Sequence, residues 1–323
     1  MRTLLRMRTL SDVGEFGLIA RIERLARNQH APQLVLGIGD DAAVLRPRAG
    51  EDLVVSTDSL VEDVHFRWRT QSPATVGRRG LLVNLSDLAA MGARPLGCTV
   101  AWAAPPQLEL RRFDSLIRGL LATASEFACP LVGGNLSKAR ETSIAVTVFG
   151  AVKAGRALRR HVVRAGERIF VTGSLGGASL ALARAERRGG RLRRLPIPRL
   201  RAGRALAALP RPGACIDISD GFGADLEHLL EGSGLGAEIE LQKVPRPRGF
   251  TAACASLGLD PDRLCLTGGE DYELLFTLGS DAGCRLSEVA LSRRLRLPVS
   301  EVGRICRRPG VRGLPLKRGW RHY

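Results

Sequence analysis

The sequence predicts a two-domain α/β protein, and three observations carry that expectation. The chain has 323 residues, 45% of them apolar, which is enough for two buried cores. Each half alternates strand-like and helix-like segments. Between the halves, residues 153–168 read as an Arg-rich connector, dividing the chain into 1–152 and 153–323.

The elements follow in order. Phe16 to Ala26 has apolar residues at helical spacing and is closed by Asn28 and Pro32. LVLGIG reads as a strand entering the turn at Asp40-Asp41, and DLVVSTDSL as a strand ending at Thr57-Asp58, so both acidic motifs are expected at strand ends. Residues 74–92 read as a helix carrying Asn84, Ser86 and Asp87. GCTVAWAAP is a strand, 108–128 an amphipathic helix, and PLVGGN and TSIAVTVFGAV two strands around a glycine turn.

In the second half, RIFVTG and SLGGASLALARA read as strand, glycine turn and helix. Residues 187–213, rich in Arg, Gly and Pro, are expected to form an exposed loop or broken helix. CIDISDG leads into the helix FGADLEHLL, and LTGGEDYELLFTL is a turn leading into a strand.

Composition removes several function classes. The opening MRTLLRMRTL lacks the apolar run and cleavage site of a signal peptide, and no segment approaches eighteen uninterrupted apolar residues, so a cytoplasmic protein without membrane spans is expected. Seven cysteines without a CxxC pair argue against zinc, iron–sulfur and disulfide frameworks. The net charge of +17 comes from dispersed arginines, and aromatic residues make up only 4%, so there is no stacking platform for specific nucleic-acid binding.

The places without arginine are more informative. The windows 34–45, 53–66, 81–93, 214–242 and 264–284 contain no Lys or Arg, yet hold more than half of the 32 acidic residues. Clustered carboxylates must be paired, protonated or bound to a metal. With no local cations, and with Ser and Thr beside them, these carboxylates suit magnesium held jointly with substrate phosphates. Asp residues in GDD, SDG and SDL also cap helices and form turns, which is the competing structural explanation for any one motif.

Familiar phosphate-binding signatures are missing: no GxxxxGK[ST], no GxGxxG after a strand, and no kinase HRD and DFG pair. GSLGGAS, Gly173 to Ser179, could present amides to a phosphate, but a tight structural turn is the preferred reading. A nucleotide is therefore expected to be held mainly through metals.

Seven stretches in this order, GEFGLIARI, GIGDDAAVL, STDSLVEDVHF, NLSDLAAMGARP, LVGGN, DISDGFGADLEHL and GGEDYELLF, closely resemble the thiamine-monophosphate kinase family. The resemblance runs from about residue 14 to the C-terminus. Shorter GDDAA and SDG elements occur across the wider aminoimidazole ribonucleotide synthetase-like group; STDSLVEDVHF with GGEDYEL points to the thiamine branch.

The resemblance implies a two-domain aminoimidazole ribonucleotide synthetase-like fold whose N-terminal domains pair through their sheets in a homodimer. It also implies ATP-dependent conversion of thiamine monophosphate to thiamine diphosphate by direct transfer, with several Mg²⁺ ions. On the matching positions, Asp41, Ser56, Thr57, Asp58, Asp87, Asn135, Asp217 and Asp220 would bind metal, with Asp40 in a supporting or turn role. Gly134, Asn135, Arg160 and Ser219 would contact ATP, and His65, Glu270 and Trp320 the thiamine phosphate. The acceptor is already an anionic phosphate oxygen, so charge neutralisation rather than a general base is the requirement.

The sequence departs from the family in places. The GGDTT-like turn reads GGNLS, so Asn135 stands where an aspartate would hold the nucleotide's magnesium, and weaker magnesium binding follows. GWRHY replaces an ending that is often acidic, HVVRAGERI replaces a serine-glycine connector, and the first eleven residues have no counterpart. Three other readings stay open: a related ATP-dependent synthetase with another substrate, a non-catalytic nucleotide-binding relative, and a polyanion-binding protein.

Overall fold

The computed structural model describes residues 8–27, 29, 31–192, 194–279 and 286–315. Among these, contacts gather into two units: one comprises the described residues up to Leu85, with Pro95–Ala151 and Arg191–Leu195, and the other Ser86–Arg94, Val152–Gly190 and the described residues from Pro196 onward. No helix of the described residues is long and apolar enough to cross a membrane.

The first series of elements is α1 (Gly14–Ala26), β1 (Leu34–Leu36), β2 (Val44–Leu45), β3 (Glu51–Val61), α2 (Pro73–Ala90), β4 (Arg94–Ala104), α3 (Leu110–Glu126), β5 (Leu131–Lys138) and β6 (Ser143–Lys153). Among the described residues, four strands form a sheet in the order β3-β6-β4-β5. The β4–β5 pair is parallel. Helix α3 buries Leu110, Phe113, Leu116, Ile117, Leu120, Leu121 and Ala124, the three-and-four spacing that made it legible as amphipathic. Its Phe113 ring packs 4.6 Å from Trp102 of β4. Arg21 of α1 makes a bidentate pair with the buried Asp114 of α3. Gln29 donates to the Leu121 carbonyl and accepts from the Leu131 amide, so α1 is fixed at both places.

The second series is β7 (Arg168–Thr172), α4 (Gly177–Arg188), α5 (Leu200–Ala207), β8 (Cys215–Asp217), α6 (Phe222–Leu230), β9 (Gly236–Ile239), α7 (Phe250–Ala255), α8 (Pro261–Thr267), β10 (Leu274–Leu278), α9 (Glu288–Leu295), β11 (Val299–Cys306) and β12 (Gly310–Arg312). Its strands order as β12-β9-β11-β7-β10-β8. The core includes Ile169, Val171, Ile216, Ile218, Phe222, Leu226, Leu275 and Val302. Strand β8 and helix α6 thus hold the Ser219–Gly221 turn between two buried segments.

Three expectations need refinement or correction. Of the two readings of residues 187–213, exposed loop or broken helix, the second holds, with burial that was not expected: Leu200, Ala202, Gly203, Leu206 and Ala207 of α5 are buried, an apolar face hidden in arginine-rich composition. Ser56, Thr57 and Asp58 lie inside β3, which runs on to Val61, because pairing with β6 continues past the acidic motif. Gly133, Gly134 and Asn135 lie within β5 rather than in a turn, opposite Thr99, Val100 and Ala101 of β4.

Candidate active site

A cavity of about 1010 Å³ opens in the first unit. Its walls include residues of α1, the Asp40-Asp41 turn, Val100 and Trp102 of β4, Phe149 of β6 and the Leu131–Leu136 stretch of β5. Glu15, Glu23, Asp40 and Asp41 line it, and no Lys or Arg does among the described residues. Asp40 Oδ1 accepts the amide of the next residue, Asp41, at 2.8 Å, which occupies one carboxylate oxygen with the loop's own backbone. Gly134 meets β4 so closely that a Cβ would lie 2.2 Å from the Val100 carbonyl oxygen, which only glycine avoids. The close pairing sets Asn135 beside Ala101 on the cavity wall.

On the edge strand β3, Thr57 Oγ1 donates to the Val146 carbonyl and accepts from Thr147 Oγ1, both at 3.1 Å. The Asp58 amide donates to Asn84 Oδ1 at 2.8 Å, and Asn84 Nδ2 donates to the Gly80 carbonyl of α2 at 2.9 Å. Buried Asn84 thereby clamps the backbone that carries Asp58. His65 Nδ1 accepts the Val61 amide at 3.1 Å, so neutral His65 carries its proton on Nε2. The wholly buried Arg79 donates to the His65 carbonyl at 3.0 Å and to Gln71 Oε1 at 2.6 Å, fixing this loop to α2.

The second unit gathers a different set. Asp217, at the end of β8, is buried and its carboxyl is pushed up to about 7. Burial is the main cause and the charge of Asp87 the next, opposed by a 2.7 Å hydrogen bond from Ser86 Oγ and the charge of Arg160. Asp225 is pushed up to about 8, by burial first and then by the charges of Asp217 and Asp220. Its carboxylate accepts the Asp220 and Gly221 amides at 3.0 and 3.1 Å, bracing the Ser219–Gly221 turn. Among the described residues no three His, Cys, Asp or Glu side chains form a ready-made metal group. The oxygen donors still fit magnesium: they are hard, like-charged and partly desolvated, and magnesium completes its shell with water and substrate phosphate.

The segment Gly268–Glu273 is held against that turn. Glu270 donates its amide to the Ser219 carbonyl at 2.8 Å and Tyr272 to the Ile218 carbonyl at 2.9 Å. Glu270 and Tyr272 take left-handed backbone conformations, φ 66° and 52°, which cost non-glycine residues about 1–3 kcal/mol each. The carboxylates of Asp271, between them, and Glu273, just after them, offset that strain. Asp271 accepts the Gly176 and Ala178 amides at 2.5 and 3.0 Å, and Glu273 accepts from Thr172 Oγ1 and Arg199 Nε, both at 2.7 Å.

These contacts support one expectation and qualify another. Amides of the GSLGGAS turn are taken by Asp271, in keeping with a structural turn rather than a phosphate cradle. The arginine-free windows do not make every acid a metal ligand either: Glu273 is paired by Arg199 from a distant segment.

The family described as AIR synthase related protein, N-terminal domain, matches residues 39–152, which include the Asp40-Asp41 turn, β3 and Asn135. Over nearly its whole length the chain is similar to the thiamine-monophosphate kinase of Synechococcus elongatus, 34% identical with 98% of each chain covered. The chain belongs to the thiamine-monophosphate kinase family. The Mycobacterium tuberculosis member is 36% identical over 83% of this chain and 81% of its own. Among solved structures, the Stenotrophomonas maltophilia thiamine-monophosphate kinase superposes with a TM-score of 0.77 at 36% identity, covering 93% of this chain and 96% of that one. AaThiL complexed with AMPPCP and TMP superposes with a TM-score of 0.72 at 28% identity, covering 99% and 100%. Hydrogenase maturation protein HypE in complex with ATP, at 22% identity and TM-score 0.73, shares the fold.

Within this thiamine-monophosphate kinase family member, the first unit holds the sequence-predicted Asp41, Ser56, Thr57, Asp58, His65, Gly134 and Asn135. The second holds Asp87, Arg160, Asp217, Ser219, Asp220 and Glu270. Trp320 lies outside the described residues. Sequence reasoning placed Asn84 on its helix without giving it a role, and did not single out Arg79, Asp225 or Asp271; these four position the predicted residues. The signal for Asp225 was present, an acid in the first turn of a helix opening on SDG.

Proposed function

We propose that the protein phosphorylates thiamine monophosphate to thiamine diphosphate at the expense of ATP. The observation that carries this reading is AaThiL, which aligns with 99% of this chain and is complexed with AMPPCP and TMP. Transfer is direct and in line, from the γ-phosphoryl group of ATP to the substrate's phosphate oxygen. Bound Mg²⁺ ions supply neutralisation of the approaching polyanions.

In the first unit, Asp41, Ser56, Thr57, Asp58 and Asn135 offer metal ligands, while Gly134 and Asn135 present strand β5 to the ATP phosphates. A cavity with no Lys or Arg among its described lining residues supports metal-mediated phosphate binding. His65 donates to the substrate phosphate, a role that its Nδ1-accepting tautomer supports. In the second unit, Asp87, Asp217 and Asp220 hold metal, Ser219 and Arg160 contact the nucleotide, and Glu270 accepts from the aminopyrimidine. Trp320 is assigned the stacking role by resemblance. The N-terminal domains pair as a homodimer, which Leu53 and Val55, each over half exposed on the edge strand β3, support.

The test is incubation with ATP, Mg²⁺ and thiamine monophosphate, with unphosphorylated thiamine in parallel, and chromatographic resolution of products. Thiamine diphosphate formed from the monophosphate alone is expected; its absence across a wide magnesium range, from protein that binds ATP, refutes the reading.

A further inference from the structure

A second, smaller cavity in the first unit has the opposite chemistry to the one lined by Asp41. Its volume is about 340 Å³, at the low end of the roughly 300–1,000 Å³ of small-molecule pockets, and Trp68, Gln71, Glu109, Arg111, Arg112 and Arg191 are among its lining residues. Three guanidinium groups and one carboxylate give this wall a net charge of +2, whereas the larger cavity has no Lys or Arg among its described lining residues.

The donors of this wall are fixed in place but only partly used. Arg111 Nε and Nη2 donate to Glu109 at 2.6 and 3.3 Å, which holds the Glu109 carboxyl below its usual range and keeps it ionised. Arg112 reaches the same carboxylate only at 3.6 Å and lies 5.8 Å from the centre of the Trp68 ring. Arg191 makes no hydrogen bond or ion pair among the described residues. The Leu192 amide donates to the Thr70 carbonyl at 2.7 Å, which pins the backbone beside Arg191 to the segment that leads into α2. Gln71 is only 3% exposed, and its Oε1 accepts from the buried Arg79 at 2.6 Å. Its Nε2 is thereby set as a donor, and it has no acceptor among the described residues.

Such a set calls for an oxyanion of more than one charge. A carboxylate fills one guanidinium fork, as Glu109 does for Arg111, whereas a phosphate group accepts several charge-assisted hydrogen bonds at once. A stacking ligand fits poorly, because Phe66 already meets the Trp68 ring nearly edge to face at 4.8 Å and Arg112 covers it. Glu109, the one carboxylate among the described lining residues, is already paired, so the wall has no free metal ligand of that kind. We infer that this cavity binds a small inorganic phosphate anion, phosphate or pyrophosphate, through Arg112, Arg191 and Gln71 and without a metal ion.

The experiment titrates the full chain with inorganic pyrophosphate in EDTA, by calorimetry and by tryptophan fluorescence. It compares the wild type with Arg191→Ala, Arg112→Lys, Trp68→Phe and, as a control, Arg201→Ala, which removes an exposed arginine of α5 outside this cavity. Expected is saturable one-to-one binding with a fluorescence change in the wild type. The Kd should rise about tenfold in Arg191→Ala and severalfold in Arg112→Lys, which keeps the charge but loses the fork, and stay within about twofold in Arg201→Ala. Trp68→Phe should still bind by calorimetry and lose the fluorescence change. Absence of binding in EDTA overturns the assignment, as does binding that appears only with Mg²⁺. Equal losses in Arg191→Ala and Arg201→Ala also overturn it, since they mean diffuse attraction to a basic surface, and so does a fluorescence change that persists in Trp68→Phe, which places the anion near another tryptophan. The kinase reading is independent of all these outcomes and is tested by its own product assay.

Discussion

Two groups of aspartates in this molecule solve opposite problems. Asp40 and Asp41 are exposed at a cavity rim, where water supports their charge before any ligand arrives. Asp217 and Asp225 are buried near each other and near Asp87 and Asp220, and their carboxyls rise to about 7 and about 8. The first group is ready to receive a cation. The second must release protons to receive one, so burial gives these aspartates a pH dependence that their motifs alone do not reveal.

The sharpest break of this comparison is Asp217→Asn set against Asp41→Asn. Both remove a proposed magnesium ligand, and kcat is expected to fall about a hundredfold or more in each, on the order of the several kcal/mol a bound metal supplies. Stability should separate them. Asp217→Asn removes a buried charge and raises the melting temperature of magnesium-free protein at pH 8, while Asp41→Asn, at an exposed site, leaves it unchanged. Equal thermal shifts in the two variants would show that burial does not distinguish the groups.

Asp271→Ala asks whether the buried acids of the second unit all serve metal. This carboxylate is satisfied by two backbone amides and sits between two left-handed residues, so its loss should release the backbone of Glu270. Expected are a KM for thiamine monophosphate raised about tenfold and a melting temperature lowered by several degrees, with the apparent magnesium requirement unmoved; unfilled donors of this kind cost about 1–3 kcal/mol. A shifted magnesium requirement would move Asp271 into the metal group.

The pH dependence follows from the direction of the two shifts. An acid whose pKa is higher folded than unfolded binds more protons in the native state across the interval between the two values. Stability of the magnesium-free protein therefore falls as pH rises from about 4 to about 8, the window set by Asp217 and Asp225. Magnesium competes with those protons, so its stabilising effect should be larger at pH 8 than at pH 6 in thermal melts. A magnesium effect independent of pH would place the cation away from Asp217.

Much of this architecture was legible in the sequence because period and composition report burial directly. Helix α3 announced itself through Phe113, Leu116 and Leu120, and CIDISDG through an apolar strand running into a polar turn. What stayed hidden depends on partners far away in the chain. Gly133-Gly134 resembles a turn unless β4 is known to approach within a Cβ of it, and α5 resembles a solvated arginine segment unless its Leu200 and Leu206 are known to be covered. Carboxylates are the hardest case: Asp271 takes amides more than ninety residues away and Glu273 takes Arg199, and nothing local separates them from Asp217.

Asn135 offers the smallest and most discriminating test. It lies on the cavity wall, held in place by the close β4–β5 pairing at Gly134, and its amide oxygen can join a magnesium shell at the cost of one negative charge relative to aspartate. The side chain is exposed, so Asn135→Asp introduces charge without a burial penalty. If phosphate binding in this cavity is mediated by metal, as the absence of Lys and Arg among its described lining residues suggests, the variant should lower the magnesium concentration for half-maximal rate a few-fold. KM for thiamine monophosphate should not change. If the phosphates were held mainly by basic groups, added negative charge would instead repel ATP and raise its KM. The sign of the response therefore distinguishes the two, and an unchanged magnesium dependence would remove Asn135 from the metal-binding set.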